Sequence, residues 1–264
     1  NIISSIMSTY DNINEIYHVA SLASPPFYKK YPLETLDVGY IGTKNVLELC
    51  KHYNCKLLYS STSEVYGDAL EHPQRETYYG NVNTVGFRSA YDESKRVAET
   101  LVYTYTELYD LNTRIIRIFN TYGPHMMIGD GRIVTEIIRC MLLGKPLTIY
   151  GDGEQTRSLN YVSDTIGMMV KVMESTYKSP INIGSDKEIT MNHLVEVAKS
   201  VYKKLFKKES NLKVEYAQID KDDPKVRRPD LTLNKEILGE SNKVSLETGL
   251  AATLMYFKEI IDNH

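Results

Sequence analysis

Hydrophobic positions in the first half of the chain alternate between short continuous runs and long stretches at helical spacing. The run Glu15-Ile16-Tyr17-His18-Val19-Ala20-Ser21 is apolar and rich in β-branched residues. It leads into Ser24-Pro25-Pro26, which no helix interior accepts, so it reads as a buried strand ending in a loop. From about Glu34 to Tyr53, the residues Leu36, Tyr40, Ile41, Val46, Leu47 and Leu49 recur at helical spacing. Lys56-Leu57-Leu58-Tyr59-Ser60 is a second strand, closing on Ser61-Thr62-Ser63. A second long helix covers about Ala90 to Tyr109, and a third strand, Thr113 to Phe119, stops at Asn120 and Gly123-Pro124. This alternation predicts a parallel sheet covered by helices, with ligand chemistry at the carboxyl ends of its strands. Those ends are Ala20-Ser21, Ser61 to Glu64, and Phe119-Asn120.

The rhythm changes after Gly123. The pattern predicts a helix at about Val134 to Leu143, a strand at Leu147 to Tyr150, a turn at Gly151-Asp152-Gly153, and a helix beginning near Ser163-Asp164. Ile181 to Gly184 reads as a last sheet strand, followed by helices at about Met191 to Leu205, Leu233 to Leu238 and Leu246 to Ile261. The fold class is therefore α/β, with a smaller α+β unit set against the sheet.

Composition narrows the function. With 31 Lys+Arg against 34 Asp+Glu and a net charge of −3, the chain has no broad basic face for nucleic acid or an anionic membrane, so local cations must meet any anionic ligand. No apolar run approaches the ~18 residues of a membrane span, and the start has no secretory pattern. Three cysteines among 264 residues make a disulfide framework unexpected. The expected setting is the cytoplasm. Neither His18 nor His125 has companions at ligand spacing, so no metal site is expected. The chain opens on Asn1, which suggests that the protein begins upstream.

Tyr91-Asp92-Glu93-Ser94-Lys95 places a phenol and an ammonium one helical turn apart on one face. A tyrosine with pKa near 10 is a poor base, and bringing it to about 7 takes about 4 kcal/mol, the size of one unit charge at ~4 Å in an effective dielectric near 20. Lys95 is thus sufficient to activate Tyr91. The pair opens the helix that follows the strand ending in Ser60 to Gly67, so hydroxyls and a carboxylate arrive at the same sheet edge.

Three motifs in order, Thr62-Ser63-Glu64-Val65-Tyr66-Gly67-Asp68, Tyr91 to Arg96, and Arg117-Ile118-Phe119-Asn120-Thr121-Tyr122-Gly123-Pro124, resemble the extended short-chain dehydrogenase/reductase family, and within it the UDP-glucuronate decarboxylases. The similarity continues through Asp130 to Val134, Pro146 to Arg157, Asp222-Asp223-Pro224 and Arg227-Arg228-Pro229-Asp230. The resemblance implies a Rossmann-like doubly wound sheet, NAD as cofactor, and conversion of UDP-glucuronate to UDP-xylose through a 4-keto intermediate. Residues 1–120, with about 160–184 returning to them, would be the later part of the NAD-binding domain, and 121–264 mainly the UDP-sugar domain. Related 4,6-dehydratases carry an Asp-Glu pair where this chain has Ser63-Glu64, and a serine cannot protonate a leaving hydroxyl.

By resemblance Tyr91 is the base, Lys95 its partner, Thr62 holds the C4 oxygen, Glu64 orients the substrate and Arg227 assists decarboxylation, with Arg228 an adjacent competitor. Val19, Ser21, Ser60, Tyr91, Lys95 and Thr121 would meet the cofactor. Tyr28, Asn45, Asn120, Arg132, Tyr150 and Arg157 would meet the sugar nucleotide, although Tyr150 reads equally well as part of an edge strand. The helices at about 34–53 and 90–109 would pair two copies in a homodimer. Rival readings are a related epimerase or dehydratase and a non-catalytic nucleotide-sugar-binding protein.

Two departures stand out. The family's Gly-x-x-Gly-x-x-Gly turn is nowhere in the chain, which suggests roughly 70 to 80 further residues upstream and an unstable or inactive isolated chain. Asp37-Val38-Gly39 stands where the family usually has Lys-Thr-Asn, which predicts a reversed charge near an anionic ligand and reduced activity or an altered proton relay.

Overall fold

The computed structural model describes residues 2–218, 227–239 and 243–263. The Asp222-Asp223-Pro224 motif lies outside them. In chain order the first half comprises α1 (Ile2–Thr9), β1 (Glu15–His18), α2 (Pro25–Lys30), α3 (Pro32–Asp37), a π-helical turn (Val38–Gly42), α4 (Thr43–Tyr53), β2 (Lys56–Thr62), a 3₁₀ turn (Ser63–Tyr66), α5 (Ser89–Tyr109) and β3 (Thr113–Ile118). The remainder comprises β4 (Thr121–Tyr122), α6 (Ile133–Leu143), β5 (Leu147–Tyr150), β6 (Thr156–Ser158), β7 (Asn160–Tyr161), α7 (Val162–Glu174), β8 (Ile181–Ile183), β9 (Glu188–Thr190), α8 (Met191–Phe206), β10 (Val214–Ala217), α9 (Thr232–Leu238) and α10 (Leu246–Asp262).

The central sheet is parallel throughout, in the order β1-β2-β3-β8. Continuous apolar runs are what a strand covered on both faces requires. Leu57, Tyr59 and Ile115 turn to one face and pack with Leu47, Cys50, Ala98 and Val102 of α4 and α5. Their neighbours Leu58 and Ile116 turn to the other, against Met168, Val172 and Met173 of α7. A further core lies in the second half, where Ile137, Ile138 and Met141 of α6, Leu147 and Ile149 of β5, Leu194 and Val201 of α8, and Leu254 and Phe257 of α10 meet. Cys50, Cys55 and Cys140 are buried free thiols. No helix among the described residues is long and apolar enough to cross a membrane.

Two local readings change. The expected loop at Ser24-Pro25-Pro26 is the start of α2, because Pro occupies the first helical turn, where a missing N–H costs nothing. The single helix expected at about 34–53 is interrupted by the π-helical turn. That turn seats Gly39 on α5 so closely that a Cβ there would lie 2.5 Å from the Ser94 Cβ and 2.8 Å from the Ser94 carbonyl oxygen. Asp37 is exposed and is not among the residues that line the cleft described below.

His18, at the end of β1, is buried, with Nε2 3.1 Å from the Thr43 hydroxyl. Burial, and secondarily the charge of Lys95, lower its pKa from 6.5 to about 4. An unfolded chain takes up this proton near 6.5 and the folded chain only near 4, so stability falls as pH drops through that window, by up to about 3 kcal/mol. The raised pKa of Asp92 works in the opposite direction over the same window, so the His18 contribution should appear as the difference between wild type and His18→Gln in thermal melts between about pH 7 and pH 5.

Candidate active site

The carboxyl ends of β1, β2 and β3 open onto a cleft of about 720 Å³, closed on its far side by α6, β5 and the 155–159 segment. Polar residues sit at these ends because the apolar pattern stops there. Ser60, Ser61 and Thr62 finish β2, and the Thr62 hydroxyl then accepts from the Glu64 N–H at 3.3 Å, starting the 3₁₀ turn that aims Glu64 inward.

The Glu64 carboxylate is gripped from two sides. Arg227 makes a bidentate pair with it at 2.6 and 2.8 Å, and Arg88 reaches Oε2 at 2.7 Å. Burial alone would raise the pKa of Glu64, but the two guanidiniums outweigh it and hold the carboxyl below its ordinary value. Arg228 turns the other way, to Glu188 at 3.1 Å, which settles which of the adjacent arginines faces the cleft. The segment that carries both is stitched to the 71–76 loop: Gln74 N–H donates to the Arg228 carbonyl, Asp230 N–H donates to the Gln74 carbonyl, and Asn182 Nδ2 donates to the carbonyls of Gln74 and Asp230.

Tyr91 and Lys95 line the cleft from the first turns of α5. The Tyr91 ring stacks on Tyr28, with centroids 5.0 Å apart and planes at 11°. The Lys95 ammonium donates to the Ser60 carbonyl at 2.8 Å and lies 5.2 Å from the Tyr59 ring centroid. Burial and then Glu64 raise the pKa of Tyr91, against a hydrogen bond to Thr62 and the charge of Arg132. Burial lowers Lys95 to about 8.

Val19, Ser21, Ser60 and Thr121, expected at the cofactor, all line the cleft, as do Tyr28, Asn120, Arg132, Tyr150 and Arg157. Gly131 precedes Arg132 with φ +77°, and Arg132 pairs with Asp130 at 3.5 Å and donates to the Ala23 carbonyl. Tyr150 ends β5 and is more than half exposed. The Tyr28 hydroxyl, Ser61 Oγ, Asn120 Nδ2 and Gln155 Oε1 are enclosed polar atoms without a hydrogen-bond partner among the described residues, and all four residues line the cleft. Asn45 is not among the lining residues. Two positions along α4 from Thr43, which meets His18, it is turned by about 200° around the helix.

The residues that sequence reasoning passed over are Arg88 and Gln155, while Ser61 was read as part of a strand end without a role of its own. Arg88 stands three residues before Tyr91, one helical turn, and that spacing was the available signal.

The residues present fit the nicotinamide end of a dinucleotide. A phenol, an ammonium and the hydroxyls of Ser21, Ser60, Ser61 and Thr121 converge at strand ends, with Ser61 Oγ unpaired. The glycine-rich turn that would serve the diphosphate end is not in the sequence.

The NAD dependent epimerase/dehydratase family matches residues 2–184. UDP-glucuronic acid decarboxylase 4 of Arabidopsis thaliana is 46% identical over 247 residues, which cover 94% of this chain and 54% of that protein. UDP-glucuronic acid decarboxylase 6 of the same plant is 47% identical over 238 residues, covering 90% and 68%. The chain thus spans about half the length of the first of these relatives and two thirds of the second. Among solved structures, UDP-glucuronic acid 4-epimerase from Bacillus cereus in complex with UDP-glucuronic acid and NAD superposes with a TM-score of 0.82 at 26% identity, over 98% of this chain and 79% of that one. The parallel sheet, the Tyr91 and Lys95 pair at its edge and the family match lead to one assignment: the chain belongs to the NAD dependent epimerase/dehydratase family.

Proposed function

We propose that the chain carries the catalytic cleft of an NAD-dependent UDP-glucuronate decarboxylase, a lyase that forms UDP-xylose. One observation carries the choice of reaction: Glu64 is locked between Arg227 and Arg88, and its neighbour is Ser63. A carboxylate held ionised by two guanidiniums cannot protonate a leaving hydroxyl, and Ser63 cannot either, so the wall beside Tyr91 is unsuited to eliminating water. It is suited to an anion losing carbon dioxide. The decarboxylases among the relatives support the same reading.

When bound, the dinucleotide supplies a reversible hydride acceptor, so that C4 of the sugar can become a ketone β to the C6 carboxylate and return. Val19, Ser21, Ser60, Tyr91, Lys95 and Thr121 would hold it. Tyr91 takes the proton of the C4 hydroxyl and gives it back, with Thr62 fixing that oxygen through its own hydroxyl. Breaking the C5–C6 bond sends its electron pair into an enolate, which the Arg227 guanidinium stabilises and helps reprotonate at C5. Glu64 fixes Arg227 for that task. Arg132 and Arg157 suit the diphosphate through planar guanidiniums, Asn120 supplies its enclosed amide, Tyr28 walls the sugar, and Tyr150 borders the base at the rim.

Residues 1–120 with 160–184 would form the dinucleotide side and 121–264 mainly the UDP-sugar side. Exposed Leu33, Leu36, Tyr40 and Ile41, with Tyr103 and Leu108 on α5, support a homodimer through these helices. Buried thiols without disulfides support a reducing compartment such as the cytoplasm. Incubating the full-length protein with UDP-glucuronate and NAD should release carbon dioxide and UDP-xylose. A 4-epimer or an accumulating 4-keto hexose without carbon dioxide would overturn the assignment.

A further inference from the structure

Arg227 and Arg228 are neighbours in the chain whose guanidiniums leave in opposite directions, one to Glu64 in the cleft and the other to Glu188 of β9. Pro229 makes an isolated parallel bridge with Gln74, so the segment is locally extended, and in extended backbone successive side chains point to opposite faces. Turning one arginine outward therefore turns the other inward. The main chain is held along its length by Gln74, whose N–H donates to the Arg228 carbonyl at 2.9 Å and whose Oε1 accepts from the Arg228 N–H at 2.9 Å. The Ser158 hydroxyl adds a bond to the Arg227 carbonyl at 3.2 Å. These bonds lie close to the line of the backbone and resist rotation about it only weakly. The Arg228 side chain, reaching out to Glu188, is the lever that resists it.

Glu188 is placed to hold that lever. Its Oε2 accepts from Arg228 Nη1 at 3.1 Å and lies 3.2 Å from His72 Nε2, and its Oε1 accepts from the Thr156 hydroxyl at 2.7 Å. Burial works against ionisation, but Thr156, His72 and Arg228 together hold the carboxyl below its ordinary value. An isolated surface pair contributes little, since side-chain entropy and solvent screening offset it. Here the Glu188 and Arg228 side chains are only 22% and 33% exposed, and one carboxylate joins three segments: the 71–76 loop, β6 and the arginine pair. β6 also carries Ser158, directly opposite Glu188 in the antiparallel register, so two side chains that hold the arginine segment come from one paired position.

We propose that Glu188 is a positioning residue for the reaction: by holding Arg228 outward it aims the Arg227 guanidinium into the cleft. This rests on the role given to Arg227 above. The test is a double-mutant cycle in the full-length protein, with turnover of UDP-glucuronate followed as labelled carbon dioxide. Arg227→Met should lower kcat by about a hundredfold or more and Glu188→Gln by about tenfold, with the affinity for UDP within about twofold of wild type in both. In the Arg227→Met background Glu188→Gln should change kcat by about twofold or less, because the group it aims is gone. Phenylglyoxal labelling of Arg227, read by peptide mass spectrometry, should rise by about threefold or more in Glu188→Gln, a change that needs no turnover, since the bidentate pair with Glu64 shields the guanidinium only while it is aimed. Wild-type turnover in Arg227→Met overturns the role of Arg227 and this inference together. With Arg227→Met impaired, wild-type turnover in Glu188→Gln, full additivity of the two substitutions, a matching loss of UDP affinity, or unchanged labelling of Arg227 overturns the inference alone. If Glu188→Gln does not fold, Arg228→Met takes its place in the same cycle, and additivity there overturns it.

Discussion

Tyr91→Phe is expected to lower turnover of UDP-glucuronate by about 10²- to 10⁴-fold, the range spanned by a positioned acid–base group. The substitution is clean because it deletes one oxygen. The ring that stacks on Tyr28 at 5.0 Å remains, as do the first turn of α5 and the Lys95 bond to Ser60. The fall should therefore appear in kcat, with the affinity for UDP within about twofold of wild type. Losing the phenol also removes the Thr62 hydroxyl's bond to Tyr91 and leaves its bond from the Glu64 N–H, so a companion Thr62→Ala should cost less in the Tyr91→Phe background than in wild type. Turnover that survives Tyr91→Phe would remove the base from this position, and full additivity of the two substitutions would dissolve the Thr62 to Tyr91 link.

The second large effect lies away from the chemistry. Gly39→Asn, which restores the side chain that the resembled motif carries, should destabilise the protein by about 1 to 3 kcal/mol and lower its Tm by several degrees. The new Cβ would meet the Ser94 Cβ at 2.5 Å and the Ser94 carbonyl at 2.8 Å, and a backbone oxygen cannot swing aside as the end of a long side chain can. Ser94 sits between Tyr91 and Lys95, and its hydroxyl donates to the Tyr91 carbonyl at 2.7 Å. Any relief of the clash therefore displaces the reactive face of α5, and activity should fall by about tenfold or more, since a shift near 1 Å is costly in a preorganised site. Ser94→Gly in the same chain removes the Cβ clash but not the carbonyl one, so recovery should be partial. A Gly39→Asn protein with wild-type melting and turnover would show that the π-helical turn does not need its glycine.

Much of this was legible in the residues. The runs at Lys56 to Ser60 and Thr113 to Phe119 and the helical spacing from Ala90 to Tyr109 match β2, β3 and α5 almost residue for residue, because a strand buried on both faces and a long amphipathic helix leave strong periodic signals. The polar ends of those strands located the cleft. β5 was legible at Leu147 to Tyr150, but β6, β9 and β10 and the pairings they make went unread, since strands this short carry few positions to show a period. At Pro25-Pro26 the rule against proline inside helices was applied where the first turn is exempt. Spacing along α5 places Lys95 on the right face, but not its ammonium, which a strand carbonyl claims. Arg88 was missed because its value comes from Glu64, a partner that sequence spacing alone does not show.

Glu64 and Arg227 are 163 residues apart, and the arginine's segment is held by the hydrogen bonds to Gln74 and Asn182 together with the Ser158 hydroxyl, which donates to the Arg227 carbonyl at 3.2 Å. The reactive wall is thus a seam, closed by two segments far apart in the chain. A protease cut in a loop between them leaves the strands of the sheet able to pair, yet loosens the seam as soon as the C-terminal piece drifts. Activity in such nicked protein should be lost before secondary structure is, which makes the Glu64 to Arg227 bridge a sensitive reporter of damage.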